Sequence, residues 1–171
     1  MMFINSALIG FGQGFQPVCG FNFGAKRYDR VLEAYFFCRR VALVFLLAMG
    51  VIMFAVSTPI MHLFRKEDAE VIRIGALALK MQCCLLPFQS YVIIGNMLAQ
   101  SIGYSFRATL TAISKQGLFF IPAILILPKL FGVTGLQLAQ PVADALTFVL
   151  TYVIITMVVK ELRGMAEAEK R

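Results

Sequence analysis

Asp144 is the residue whose setting first raises a question of chemistry. It lies in an apolar run from Gly135 to Val159, together with Gln137, Gln140, Thr147 and Thr151. Their intervals of three and four residues stack all five on one side of a helix. Asp144 falls ~14 Å into that run at ~1.5 Å of rise per residue, near the middle of a bilayer. A carboxylate at that depth costs about 2.5–3.5 kcal/mol even on the lenient insertion scale. It must therefore meet water or a partner, or hold a proton. Such an acid either contacts a substrate or coupling ion, or hydrogen-bonds a neighbouring helix, and the spacing alone leaves both readings open.

A second polar series repeats every seven residues: Gln82, Gln89, Asn96 and Gly103, with Gln100 one turn beyond Asn96. A third set, Gln13, Gln16, Gly20 and Gly24, shares a face near the start of the chain. Amides in membranes either fasten helices together or line a polar path. Pro17, Pro87, Pro122 and Pro141 are expected to break their helices and free backbone carbonyls beside these amides. The pairs Gly10–Gly14 and Gly20–Gly24 suit close helix packing. His62 reads as an ordinary residue at a helix end. Cys19, Cys38, Cys83 and Cys84 form no CxxC pair and imply neither a metal site nor a disulfide framework. No nucleophile–base pair or phosphate-binding loop is present, which argues against an enzyme.

The elements that must position these residues follow from composition. Of the 171 residues 60% are hydrophobic, where roughly 45–50% is usual, and mean hydropathy is +0.81. An integral membrane protein is indicated, all-α and polytopic, because lipid offers no partner to a free backbone amide. Five stretches reach the ~20 residues that a crossing needs: 3–24, 37–62, 70–102, 108–130 and 135–159. The charged start of the third, with Glu70, Arg73 and Lys80, reads as an amphipathic entry lying in the interface. The second, apolar all round, belongs on the outside of the bundle. The first lacks a basic start and carries two glutamines and five glycines, unlike a cleaved leader.

The net charge of +7 is explained by placement beside lipid rather than by nucleic acid. Eleven lysines and arginines gather on one side: Lys26, Arg27, Arg30, Arg39, Arg40, Arg107, Lys115, Lys160, Arg163, Lys170 and Arg171. Four gather on the other: Arg65, Lys66, Arg73 and Lys129. That imbalance sets the 25–36 loop, the 104–116 region and the C-terminus in the cytoplasm. The chain then starts outside and crosses an odd number of times, an arrangement that suggests further helices upstream.

The stretch Gly12-Gln13-Gly14-Phe15-Gln16-Pro17-Val18-Cys19-Gly20-Phe21-Asn22-Phe23-Gly24-Ala25-Lys26-Arg27 resembles a hallmark of the multidrug and toxic compound extrusion (MATE) family. Ile121-Pro122, Leu127-Pro128, Gly132, Gly135 and Gln140-Pro141-Val142-Ala143-Asp144 extend the resemblance over essentially the whole chain. It implies a fold of twelve helices in two lobes, of which this chain would supply the eighth to the twelfth. It also implies export of cationic amphipathic compounds in exchange for H+ or Na+, with no bound cofactor, from a bacterial plasma membrane. The partners would be the bilayer, organic cations and an N-terminal lobe. Family coupling acids lie on the first, seventh and tenth helices. The segment resembling the tenth, 83–103, holds no Asp or Glu, so Asp144 is the deep acid of this chain. Two other expectations stand beside this one: an assembly module of a split transporter, and a related flippase for lipid-linked sugars.

Overall fold

The computed structural model describes the backbone of residues 2–64 and 69–169, and their side chains except at 2, 57–64, 69–74, 76–78, 116, 130–131, 133–134 and 136–137. Helix α1 spans Met2–Gly24, α2 Tyr28–Phe64, α3 Ala69–Ser101 and α4 Ser105–Ile113. A five-residue π turn, Ser114–Leu118, joins α4 to α5, Phe120–Glu169. The all-α expectation holds, with no strand among the described residues.

Three helices are long and apolar enough to cross a membrane, over Tyr28–Val56, Leu79–Ser101 and Leu138–Glu169. The other two expected segments look different. Helix α1 has 23 residues, but its amides and glycines dilute its hydropathy. The fourth segment is divided into α4, the π turn bearing Lys115, and a shorter apolar stretch, Phe120–Lys129. The interfacial entry expected at the start of the third segment is no separate element. Helix α3 passes through Lys80 as one helix of 33 residues.

The expected proline breaks are likewise absent from the helical path. Helix α1 continues through Pro17, α3 through Pro87 and α5 through Pro141. Pro122 sits in the first turn of α5, where a missing N–H leaves no bond unmade. Element α5 is two helices that meet at Gly132, with φ 58° and ψ −135°, a conformation that a side chain would oppose.

Two turns of the same design sit at one end of the lobe. Lys26 (φ 59°) ends α1, and Arg27 N–H closes on the Asn22 carbonyl at 2.9 Å. Gly103 (φ 82°) ends α3, and Tyr104 N–H closes on the Ala99 carbonyl, also at 2.9 Å. Each left-handed residue reverses the chain while satisfying a carbonyl that the helix end would leave bare.

Helix α3 is the hub and touches α1, α2, α4 and α5. Against it α5 presents a buried seam: Ala139, Ala143, Thr147, Thr151, Ile155, Val158, Leu162 and Ala166. Near the seam's middle the backbones close up. A Cβ on Gly95 would come within 2.8 Å of Ile155 Cγ1. On α1 the close approach is at Gly12, under Met97, and not at the expected pairs. Gly10, Gly14 and Gly24 face open space, and Gly20 lies at ordinary contact with the Ser101 carbonyl. Helix α2 is the most lipid-like element, with Val44, Val51, Ile52 and Phe54 exposed, in keeping with its uniform apolar surface.

Candidate functional site

The seven-residue repeat on α3 makes a ladder of three rungs, each about two turns (~10 Å) from the next. The first rung is Gln82, whose Nε2 donates to Asp144 Oδ2 at 2.8 Å. Gln140 Nε2 reaches the other carboxylate oxygen, Oδ1, at 3.4 Å. Asp144 is only 5% exposed, so its two oxygens spend themselves on helix partners. The second rung is buried Gln89, whose Oε1 accepts from Lys115 Nζ at 2.7 Å. Lys115 also lies within electrostatic range of Asp144, although the two form no direct ion pair.

The third rung is a chain of amides. Gln16 Nε2 donates to Gln100 Oε1 at 3.0 Å, and Gln100 Nε2 donates to Asn96 Oδ1 at 2.5 Å. Asn96 Nδ2 then donates to the Ala108 carbonyl at 3.0 Å. One run of side chains so connects α1, α3 and α4.

The structure therefore unites Gln16 with Asn96 and Gln100, and Gln140 with Asp144, while giving Gln89 to Lys115. Gln13 is exposed, off the Ile4–Leu8–Phe15–Cys19 stripe that packs inward. The side chains of Gln137 and His62 lie outside the described residues. Thr147 and Thr151 share Asp144's face but serve the seam. Thr147 Oγ1 donates back to the Ala143 carbonyl at 2.8 Å, and Thr151 Oγ1 is buried without a partner. Among the prolines, Pro141 is buried, Pro87 half-buried, and Pro17 and Pro122 exposed.

Lys115 and Gln82 gain a weight that the spacing had not given them. Lys115 had counted among the cations of a loop, yet its ammonium is drawn into the lobe. The signal was its position seven residues into an apolar run that begins at Ala108. At the basic end, Arg107 grips Glu161 through two hydrogen bonds of 2.8 and 2.7 Å and lies 4.8 Å from the Tyr104 ring centre. Both charges lie beyond the apolar runs. The guanidinium holds the Glu161 carboxyl below the usual carboxylate range. No group of side chains suited to a metal ion occurs among the described residues.

Buried amides, an acid and an internal lysine thus meet among helices three of which are long and apolar enough to cross a membrane. A family model described as MatE matches residues 1–126. The chain belongs to that family. Its fold matches a MATE multidrug transporter, DinF-BH in complex with a ligand, at TM-score 0.79 and 34% identity over 92% of this chain and 35% of that one. An inward-facing MATE transporter of the MOP superfamily matches at TM-score 0.83 and 14% identity, over 95% of this chain and 38% of that one. The Vibrio cholerae MATE transporter VcmN in its bent form matches at TM-score 0.81 and 18% identity, over 95% and 37%. The chain thus spans 35–38% of the length of the solved transporters it matches. A comparison with curated protein sequences gives no match. MATE proteins are transporters and not enzymes.

Proposed function

We propose that this chain forms the C-terminal lobe of a cation-coupled MATE exporter. Its segments 3–24, 37–62, 70–102, 108–130 and 135–159 act as helices eight to twelve. They work with an N-terminal lobe in a bacterial plasma membrane, the C-terminus in the cytoplasm. The cargo is a cationic amphipathic compound, and the driving ion is H+ or Na+. The observation that carries this reading is the 34% identity, over 92% of the chain, to a multidrug transporter solved with its ligand.

Within this lobe Asp144 is the group that responds to the coupling ion, and Lys115 is its internal counter-charge. With Asp144 ionised, the two charges balance across a low-dielectric gap. Neutralising the carboxylate leaves the Lys115 ammonium without that balance, a state the lobe relieves by moving α5 or the π turn relative to α3. Gln82 and Gln89 hold the two groups apart so that neither closes onto the other.

The test is export of a fluorescent amphipathic cation by the intact transporter carrying Asp144→Asn. Export should collapse while the protein still folds and inserts, with only the loss of stability that a stranded Lys115 charge brings. Unchanged export would reduce Asp144 to a bystander, and loss of the folded protein would make it a fastening residue. A second reading is a module that completes a separately encoded partner. Co-purification of a second polypeptide with about seven apolar spans would distinguish it.

A further inference from the structure

None of the groups so far described uses the face shared by the first half of α2, the middle of α3 and the second half of α5. A row of rings runs along it. Phe88 and Phe148 have centroids 4.9 Å apart, Phe148 and Tyr152 6.1 Å, and Tyr152 and Tyr91 5.5 Å. Phe88 and Tyr152 are 45% and 53% exposed, so the row is an open surface rather than part of the core.

At one end of the row two arginines from different helices converge. The Arg39 guanidinium lies 5.5 Å from the ring centres of Tyr91 and Phe36, and 6.0 Å from that of Tyr35. Arg163 of α5 approaches the same Phe36 ring at 5.7 Å. Neither guanidinium forms an ion pair with a carboxylate among the described residues, in contrast to Arg107. Tyr35 is fully buried beside Arg39 and Tyr91, and its hydroxyl makes no hydrogen bond of good geometry to either. The Tyr91 hydroxyl lies 3.4 Å from Thr156 Oγ1. The nearby acids, Asp29 and Glu33, line a groove that Phe36 shares with Phe37 and Arg40.

Two like charges over one ring repel, and a buried hydroxyl without a partner is costly. An anion between them answers both. Guanidinium forks match phosphate oxygens in pairs, and basic pockets between membrane helices hold anionic headgroups. The height is right as well, because Arg39 sits where the apolar run of α2 begins. The exposed rings beyond it offer an acyl chain a flat apolar bed.

We propose that this face binds one anionic phospholipid. Its phosphodiester sits between Arg39 and Arg163 and accepts from the Tyr35 hydroxyl. One acyl chain lies along Tyr91, Tyr152, Phe148 and Phe88. The site is independent of the transport reading above, since it uses none of the ladder residues.

Native mass spectrometry of the full chain in detergent tests it, with phosphatidylglycerol, phosphatidylcholine and inorganic phosphate as probes. Phosphatidylglycerol should be retained at least about tenfold more strongly than phosphatidylcholine, given two arginines at the headgroup. Arg39→Gln and Arg163→Gln should each weaken that retention about fivefold. Tyr35→Phe should weaken it about threefold, while melting in lipid-free detergent stays level or rises, because an orphaned hydroxyl has gone. Equal retention of the two lipids would overturn the proposal. So would undiminished phosphatidylglycerol binding in the Arg163 and Tyr35 variants, which decide the matter even if Arg39→Gln fails to fold. Inorganic phosphate competing as well as the lipid would assign the pocket to a free anion, and that too overturns it.

Discussion

Helix α5 meets a cation from the α4–π region at two levels, and the two meetings are built in opposite ways. At the basic end Arg107 and Glu161 close on each other in a two-bond fork, each side chain more than a third exposed. Deeper in, Lys115 and Asp144 form no ion pair, and each is held by its own glutamine from α3. A closed fork fastens two elements and offers little else. Charges kept apart by amides are instead each tied to a third helix. The first arrangement suits a joint, the second the ion-responsive site proposed above.

The largest way to break this contrast is to remove one deep charge. Lys115→Met or Asp144→Leu alone should cost roughly 3 kcal/mol, because each strands an opposite charge in the lobe. The double variant should recover most of that loss. Melting of the detergent-solubilised chain, read as a double-mutant cycle, checks this; additive losses would mean that the two groups do not sense each other.

Removing a holder should have a smaller effect. Gln82→Leu deprives Asp144 of its 2.8 Å donor and should cost about 1.5–3 kcal/mol, the range for a hydrogen bond to a charged group. Melting compared with Gln140→Leu sharpens the point, since the 3.4 Å contact of Gln140 predicts a loss of less than ~1 kcal/mol.

The smallest effect belongs to the exposed fork. Its contribution is present above the ordinary glutamate pKa of about 4.3 and fades as acid carries the pH through the lower value of the folded state. Glu161→Gln should therefore lower stability by less than ~1 kcal/mol at neutral pH. The gap from the unmodified chain should close below about pH 4. A gap that persists in acid would show that the fork acts through packing and not charge.

Much of this was legible in the residues alone. Gln89 and Asn96 of the polar series on α3 do turn inward while Gln100 and Gly103 stay exposed, α2 does carry the lipid-like surface, and the Gly12–Arg27 stretch marks the family. What escaped was partnership. Periodicity says which residues share a face of one helix, but not which helix that face meets. Thr147 and Thr151 shared Asp144's face and went to the seam, whereas Lys115, counted with a loop, became the acid's neighbour. Glycine spacing misled for the same reason. Gly12 and Gly95 sit at the crossings, where distance between backbones decides, and the i,i+4 pairs on α1 do not. The prolines pointed to breaks because their missing N–H is a local cost, yet the helices continue through Pro17, Pro87 and Pro141.

The π turn has a consequence for how the chain's inner side is kept in phase. On an unbroken α-helix, at about 100° per residue, Ala123 would stand roughly 120° round from the mean direction of Ala108, Thr111 and Ser114. Yet all four are buried. One supernumerary residue in the wider turn winds Ala123 back to within roughly 20° of that direction. Deleting Gly117 would therefore do more than shorten a connection: it would swing everything before it about its axis and carry the lysine's reach away from Gln89.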